Sequence, residues 1–201
     1  SEEAFVAMLN EKAAALGLTN THFMNTSGLH DENHYSTVRE IALILQAALE
    51  NETCAEILSA ENYRASETEQ HPDGLAMTNK FLYRVHHEYA LNGAEITAAK
   101  TGYTTEAMNC CASAGKTPDG RSVICVTANA WTGEFCIEDH IALYTKSCGS
   151  TCFNTSPTLY SSLACTSALN PMDFWSRRVS MIFSNPSNAP PQINRIFDVS
   201  I

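Results

Sequence analysis

Apolar residues recur every three or four positions in two segments near the start of the chain, which predicts two amphipathic helices. The first helix covers residues 2–16 and ends at Gly17, because glycine favours the left-handed backbone that closes many helices. Its apolar positions are Phe5, Met8, Leu9, Ala13 and Leu16. The second helix begins at Thr37, where Thr37 and Glu40 form a predicted capping box. Its apolar positions are Ile41, Ile44, Leu45, Ala48 and Leu49.

The segment between these helices, residues 18–36, is rich in Asn, Thr, Ser, Gly and His and has no sustained period. This composition predicts a long ordered loop. Thr53 and Glu56 repeat the capping-box spacing and predict a shorter third helix. The pattern of residues 79–89 leaves a helix and an irregular segment both open.

The pattern changes to that of strands after Asn92 and Gly93. Residues 94–102, 107–114 and 121–130 are each predicted to form a strand. The sequence KTPDG, between the second and third of these strands, predicts a hairpin turn through Pro118 and Asp119-Gly120. A helix over residues 137–146 follows. The predicted fold class is therefore α+β, with helices first, then an antiparallel sheet and a C-terminal helix.

The composition of the chain changes at about residue 147. Residues 147–201 contain neither Lys nor Glu, are rich in Ser and Pro, and show no sustained helical or strand period. We therefore predict one domain over residues 1–146 and a low-pattern tail over residues 147–201 that adds no well-packed layer. This tail is interpreted either as a loosely folded, linker-like segment or as the product of a shifted reading frame that was never selected as protein.

The charge of the chain excludes one class of partner. A chain of 201 residues with a net charge of -10 lacks the clustered Lys and Arg that phosphate binding needs, so nucleic acid is not an expected partner. No apolar run is long enough to predict a membrane-spanning helix. The first residues lack an initiator Met and do not have the pattern of a signal peptide. We therefore expect them to lie inside a domain. Membrane association would therefore depend on segments outside this chain.

The cysteines and histidines do not predict a metal or cofactor. Eight cysteines leave the redox compartment open. Four of them lie in apolar segments where a small buried residue fits, namely Cys54, Cys110, Cys111 and Cys125. Cys148 and Cys152 could pair or join a metal site, but no repeated Cys-x-x-Cys spacing supports zinc. His30 and His34 lie in the polar loop, and His86-His87 is interpreted as a solvated face.

The candidate chemistry lies in the first predicted strand, at Lys100-Thr101-Gly102. A Lys-Thr-Gly triplet is one of three motifs shared by enzymes that attack β-lactams and D-Ala-D-Ala peptides with a serine. In isolation such a triplet more often marks the end of a strand before a turn. The surrounding sequence must therefore show whether it is a functional motif here. Ser113 and Lys116 have the spacing of the Ser-x-x-Lys motif, but they lie at the end of a strand, and we interpret Ser113 as structural. Glu106 is interpreted as a turn residue rather than a general base.

The surrounding sequence resembles the D-alanyl-D-alanine carboxypeptidases, which are the low-molecular-weight penicillin-binding proteins. Several stretches resemble the family in the family's order: FVAMLNEKAAALG, THFMNTSGLH, STVREIALI, MTNKFLY and AAKTGYTTEAMNC. The departures are mild. Met108 and Asn109 stand where relatives often have Gly and an aromatic residue, and Val38 and Glu40 replace Ala and Asp. The resemblance covers residues 1–146 and implies part of a β-lactamase/transpeptidase-like domain.

The resemblance also implies a role for each residue of the triplet and its neighbour. Lys100 would be the cationic catalytic group and, with Thr101, would bind the terminal carboxylate of the substrate. Gly102 would let the substrate backbone approach, and the N–H of Tyr103 would be one oxyanion donor. The family's Ser-x-x-Lys and Ser-x-Asn motifs precede the matched region, and the Ser113–Lys116 spacing, which lies after the triplet, is not a substitute for them. We therefore expect this chain alone to be inactive.

The implied function is that of a fragment of a serine-type carboxypeptidase, which trims D-Ala from peptidoglycan stem peptides through an acyl-enzyme. Its partners would be stem peptides ending in D-Ala-D-Ala, with β-lactams as inhibitors of the full-length protein. Its location would be outside the cytoplasmic membrane. Two alternatives remain open, namely a truncated relative that binds peptidoglycan or a partner without catalysis, and a fragment of a serine β-lactamase.

Overall fold

The computed structural model describes residues 1–146 and two backbone strands that lie further along the chain. The helices are α1 Glu2–Ala15, α2 Val38–Leu49, α3 Glu52–Ser59, α4 Lys80–Glu88 and α5 Gly133–Lys146. The strands are β1 Asn62–Arg64, β2 Ala76–Thr78, β3 Glu95–Thr104, β4 Met108–Lys116, β5 Ser122–Ala130, β6 Arg178–Ser184 and β7 Ile193–Val199. This order confirms the predicted α+β class, and it resolves residues 79–89 largely as helix α4.

Among the described residues, the main sheet contains five antiparallel strands in the order β3-β4-β5-β6-β7, so each strand pairs with its neighbour along the chain. β3 therefore forms one edge of the sheet. The predicted turn between β4 and β5 is confirmed, since the Thr117 N–H donates to the Arg121 carbonyl at 2.9 Å and Gly120 has a φ of 82°. β1 and β2 form a separate two-stranded ribbon that the sequence pattern did not predict.

Helices cover both faces of the sheet. On one face, α4 and α5 pack against β3, β4 and β5, and the fully buried side chains there include Phe81, Leu82, Val85 and Tyr144. On the other face, α2 contributes Val38, Ala42 and Leu45 to a second core with alanines of β3 and β4. The sheet is thus buried on both sides over much of its length, which explains the long apolar runs in β4 and β5.

Helix α1 forms as predicted and ends near Gly17, whose φ is 73°. Its apolar face is not buried among the described residues, because Phe5 is 51% exposed and Met8 is 61% exposed. Only Ala13 of this helix is buried. The helical spacing was therefore a correct signal for the element, but not for burial of its apolar face.

The helix caps agree with prediction only in part. The Thr37 hydroxyl accepts a hydrogen bond from the Glu40 N–H at 3.2 Å, which confirms Thr37 as the N-cap of α2. Glu40 does not reach back in a capping box. Glu40 is only 6% exposed, and its carboxylate accepts from the Asn20 N–H at 3.0 Å and from the Thr21 hydroxyl. The cap of α3 is Asn51, and the predicted cap Thr53 is wrong because it lies inside the helix.

Because Glu40 fastens the loop over residues 18–36 to α2, we expect Glu40→Ala to loosen the loop. Hydrogen bonds to a charged group contribute about 1.5–3 kcal/mol, so the Asn20 amide should exchange with deuterium at least roughly tenfold faster. Glu40→Gln should have a smaller effect, because it keeps an acceptor. Glu56→Ala, at an exposed position of α3, is the control. Unchanged exchange of Asn20 in Glu40→Ala would contradict this role.

β6 and β7 come from the region where the sequence showed no sustained period, so the pattern missed both strands. In RVSMIFS, Val179, Met181 and Phe183 do alternate with other residues, but over too few positions to be decisive. Residues 147–177, 185–192 and 200–201 lie outside the described residues, as do the side chains of these strands. The expectation that the tail adds no well-packed layer, and its possible origin in a shifted frame, therefore stay predictions.

Candidate functional site

The four candidate residues lie together on β3, at the edge of the main sheet. In the register of β3 and β4, Lys100 pairs with Ala112, Thr101 with Cys111, Gly102 with Cys110 and Tyr103 with Asn109. All four are exposed, whereas the preceding Ala98 and Ala99 are almost fully buried. The strand thus emerges from the core at Lys100 and presents the triplet to solvent along an unpaired edge of the described sheet.

The surface beside Gly102 is open. A methyl group built at Gly102 would meet no atom of the described residues within 4 Å, and the φ of Gly102 is outside the left-handed region. Neither packing nor backbone conformation in this chain therefore requires glycine at this position. The Lys100 ammonium donates to the Thr101 carbonyl, which keeps the cation beside the triplet. Together these features leave room for an extended ligand next to a positive charge.

Asn79 links α4 to the strand that carries the triplet. Its side-chain amide donates to the Ala99 carbonyl at 2.9 Å, and its side-chain oxygen accepts from the Leu82 N–H at 3.2 Å. One side chain thus caps the helix and fixes the backbone immediately before Lys100. This asparagine belongs to the MTNKFLY stretch that resembles the family, but the sequence does not predict its contact with β3. Its only local signal was its position before a possible helix.

The predicted ordered loop over residues 18–36 is confirmed, and the side chain of Asn25 stabilises one of its turns through hydrogen bonds to the loop backbone. Asn25 accepts from the Gly28 N–H at 2.8 Å and donates to the Leu29 carbonyl at 2.9 Å. The loop reaches the far end of β3, where the His30 ring lies 3.9 Å from the carboxylate of Glu106. Glu106 is exposed in the turn after β3, in agreement with its interpretation as a turn residue.

Ser113 is a buried structural residue, as the sequence indicated. Its hydroxyl is 2.7 Å from Nδ1 of His140 and 3.2 Å from the hydroxyl of Tyr144, and all three residues are fully buried. Lys116 is exposed. Residues three apart on a strand point to opposite faces, whereas on a helix they share one face. Ser113 and Lys116 therefore cannot work as a nucleophile and its base.

Burial lowers the pKa of His140 to about 3, against the opposing effect of a hydrogen bond at the Cys111 backbone. The folded protein thus holds a neutral ring, while the unfolded chain binds a proton below about pH 6.5. The stability linked to this ring is present above pH 6.5 and is lost as the pH falls towards 3. We expect a loss of up to about 1.4 kcal/mol per pH unit in that range.

Urea unfolding at several pH values tests this expectation. His140→Gln removes the titrating ring, so its free energy of unfolding should depend less steeply on pH than that of the unsubstituted chain. His71→Gln, at an exposed position, should keep the original slope. Equal slopes in the chain and in His140→Gln would contradict the assignment.

His86 and His87 are both exposed, in agreement with their interpretation as a solvated face, and they also share a carboxylate partner. Both rings contact the Glu61 carboxylate, His86 at 2.8 Å and His87 at 3.0 Å, and His86 also contacts the Ile96 carbonyl at 2.9 Å. Desolvation lowers the pKa of His86, but the hydrogen bonds to Ile96 and Glu61, together with the negative charges of Glu61 and Glu95, outweigh it, so the pKa is raised. Through these contacts Glu61, which directly precedes β1, is held against α4, and His86 links α4 to β3. The sequence could not show them, because Glu61 lies far from both histidines along the chain.

The described cysteines lie in three kinds of surroundings. Cys111 and Cys125 are buried as predicted, Cys110 is partly exposed, and Cys54 is exposed, so its predicted burial is wrong. Cys54 fills a solvent-facing position in α3. Cys148 and Cys152 lie outside the described residues. Within residues 1–146, no three His, Cys, Asp or Glu side chains are placed to bind a metal ion.

A sequence profile of the D-alanyl-D-alanine carboxypeptidase family matches residues 1–132, which include the loop, Asn79 and the triplet. The chain belongs to this family. D-alanyl-D-alanine carboxypeptidase DacF of Bacillus subtilis is 32% identical over 127 residues, which are 63% of this chain and 30% of DacF. DacA of Escherichia coli is 47% identical over 49 residues, 24% of this chain and 12% of DacA.

Solved structures give the same fold. The DD-transpeptidase of Streptomyces K15 superposes with a TM-score of 0.58 at 27% identity, over 71% of this chain and 53% of that protein. A D-alanyl-D-alanine carboxypeptidase of Mycobacterium tuberculosis superposes with a TM-score of 0.54 at 23% identity, over 70% and 53% of the two chains. This carboxypeptidase-family chain therefore spans about half of the solved relatives. None of the helices described here is long and apolar enough to cross a membrane.

Proposed function

We propose that this chain supplies the substrate-recognition strand of a serine-type D-Ala-D-Ala carboxypeptidase. The observation that carries the proposal is the placement of Lys100-Thr101-Gly102 on an open sheet edge, with free space beside Gly102. An extended peptide can add to such an edge through backbone hydrogen bonds. Membership of the carboxypeptidase family supports a peptide that ends in D-Ala-D-Ala as the ligand.

Each residue of the strand then has a distinct role. The Lys100 ammonium attracts the terminal carboxylate of the peptide and polarises the hydroxyl groups beside it. The Thr101 hydroxyl donates a hydrogen bond to that carboxylate. Gly102 lets the peptide backbone lie against the strand, because a side chain there would occupy the open space. The Tyr103 N–H donates to the oxyanion that forms when the carbonyl is attacked.

The reaction is acyl transfer. A serine hydroxyl, activated by a lysine one helical turn away, attacks the carbonyl between the last two D-Ala residues. Its proton passes to the departing amine, D-Ala leaves, and water then hydrolyses the ester to release the shortened peptide. We assign the serine and its lysine to a segment outside residues 1–201. The substrate is peptidoglycan, β-lactams acylate the same serine, and the reaction takes place outside the cytoplasmic membrane.

The proposal is tested by placing a segment that bears the family's Ser-x-x-Lys and Ser-x-Asn motifs before Ser1. We call this protein the assembled domain. We expect it to release D-Ala from a peptide ending in D-Ala-D-Ala, and to be acylated by penicillin. Circular dichroism first establishes that it is folded. A folded assembled domain that binds the peptide but releases no D-Ala would instead favour a non-catalytic binding protein. Rapid turnover of penicillin would favour a β-lactamase.

A further inference from the structure

A cluster of three thiols lies in the apolar core that β3 shares with β4, β5 and α5. Cys111 lies on β4, Cys125 on β5 and Cys136 in the first turns of α5, and all three are almost fully buried. They belong to one apolar core between the sheet and the helices α4 and α5. Neither the proposed reaction nor a metal site uses these sulfur atoms.

Two of the thiols are direct neighbours. The side chains of Cys111 and Cys136 lie close enough for their interaction to contribute to the raised pKa of the Cys111 thiol. The register of the sheet gives the same placement independently, because Cys111 pairs with Thr127, and the Thr127 hydroxyl is 3.4 Å from the sulfur of Cys136. The Cys136 sulfur therefore lies above the cross-strand pair of Cys111 and Thr127.

The other nearby thiols are less well placed. Cys125 pairs with Ser113, two residues further along β4, so it is only a diagonal neighbour of Cys111. The sulfur of Cys110 is directed to the carbonyl groups of Ala107 and Met108, at 3.3 and 3.8 Å. Geometry thus singles out one pair among the four thiols.

We propose that Cys111 and Cys136 form a disulfide bond that joins β4 to α5 when the chain folds in the presence of a small-molecule disulfide. One cysteine thiolate attacks the small disulfide, forms a mixed disulfide and releases one small thiol. The second cysteine, as its thiolate, attacks the protein sulfur of that mixed disulfide and releases the other small thiol. Two cysteine thiols are oxidised, the small disulfide is reduced, and two small thiols result.

The bond forms during folding rather than in the native protein. Burial raises the pKa of the Cys111 thiol well above its ordinary value, so the native thiol is a poor nucleophile. The disulfide would also affect the candidate site, because Cys111 lies beside the triplet strand. Cys111 is the register partner of Thr101, so the disulfide fixes the strand that supports the triplet to the helix behind it.

The test is to refold the reduced 201-residue chain in a buffer of reduced and oxidised glutathione. Remaining thiols are then blocked at low pH, and the protein is cut with trypsin without reduction. Cleavage after Lys and Arg gives peptides 101–116 and 122–146, which carry Cys110 with Cys111 and Cys125 with Cys136. We expect these two peptides to be linked in the mass spectrum, and the link to disappear on reduction.

Single substitutions assign the link to one pair. Cys111→Ala and Cys136→Ala should abolish it, whereas Cys110→Ala and Cys125→Ala should keep it. Fragmentation of the linked peptides from the unsubstituted chain gives the same assignment if a variant does not fold. The link should also lower the unfolding equilibrium constant roughly 10²-fold, as expected for a closed loop of about 25 residues.

Three results would overturn the proposal. Complete blocking of both thiols in refolded protein would show that they remain small buried apolar groups. A link through Cys110 or Cys125, or to a cysteine beyond residue 146, would show that another pair forms. The measurement follows thiols alone, so none of these results bears on the proposed carboxypeptidase reaction.

Discussion

Gly115→Ala is expected to destabilise the chain severely, whereas Gly102→Ala on the neighbouring strand leaves it folded. A methyl group at Gly115 would lie 1.9 Å from the Glu95 carbonyl oxygen and 2.8 Å from the Ile96 Cα. These are backbone atoms of β3, so the strands must separate to relieve the clash. Overpacking typically costs about 1–3 kcal/mol, and a clash with backbone should reach roughly 3 kcal/mol or more.

Gly102 is the matched control, because the same substitution there meets no atom within 4 Å. Its free energy of unfolding should change by no more than about 1 kcal/mol. Urea titration followed by circular dichroism gives both values. In the assembled domain, Gly102→Ala should still slow acylation, because under the proposed function the methyl group would occupy the space that the substrate needs. Equal midpoints for the two variants would contradict the different surroundings assigned to these glycines.

Lys100→Ala is expected to slow penicillin acylation of the assembled domain by roughly 10²–10³-fold, because removing one partner of a desolvated charge pair typically costs about 2–5 kcal/mol. Lys100 is the cation of the triplet and would bind the anionic end of the substrate. The second-order acylation rate constant, measured by stopped-flow with a reporter penicillin, gives the effect. Circular dichroism should show an unchanged fold, because Lys100 is exposed.

Lys116→Ala is the control for charge alone. Lys116 is also an exposed lysine, on the adjacent strand, but it pairs with Glu95 at the opposite end of the β3–β4 ladder. Its removal should leave the acylation rate within about twofold, since exposed charges far from the site contribute little. A similar loss of rate in both variants would reduce the role of Lys100 to a general effect of net charge.

The sequence predicted those elements whose signals are local. Thr37 caps α2 as expected, and the turn at Gly120 follows from residues that favour it. The triplet was identified from its residues and its family context, and its position on an edge strand follows from the order of the strands. These features depend on neighbours along the chain, so a periodic pattern or a short motif is sufficient to predict them.

The sequence could not predict contacts that join distant segments. Glu40 has the spacing of a capping box, yet the fold brings Asn20 and Thr21 to its carboxylate instead. Asn79 contacts β3 because α4 packs there, and Glu61 meets two histidines for the same reason. Such pairings depend on how elements pack, and a local pattern carries no information about them.

The most direct measurement is the intact mass of the 201-residue chain and of the assembled domain after incubation with a labelled penicillin. We expect one adduct on the assembled domain, located on the serine of the added Ser-x-x-Lys motif. We expect none on the chain alone, because its one serine with that spacing, Ser113, is fully buried against His140. A stoichiometric adduct on the chain alone, lost in Ser113→Ala, would contradict the assignment of these residues to recognition rather than nucleophilic attack.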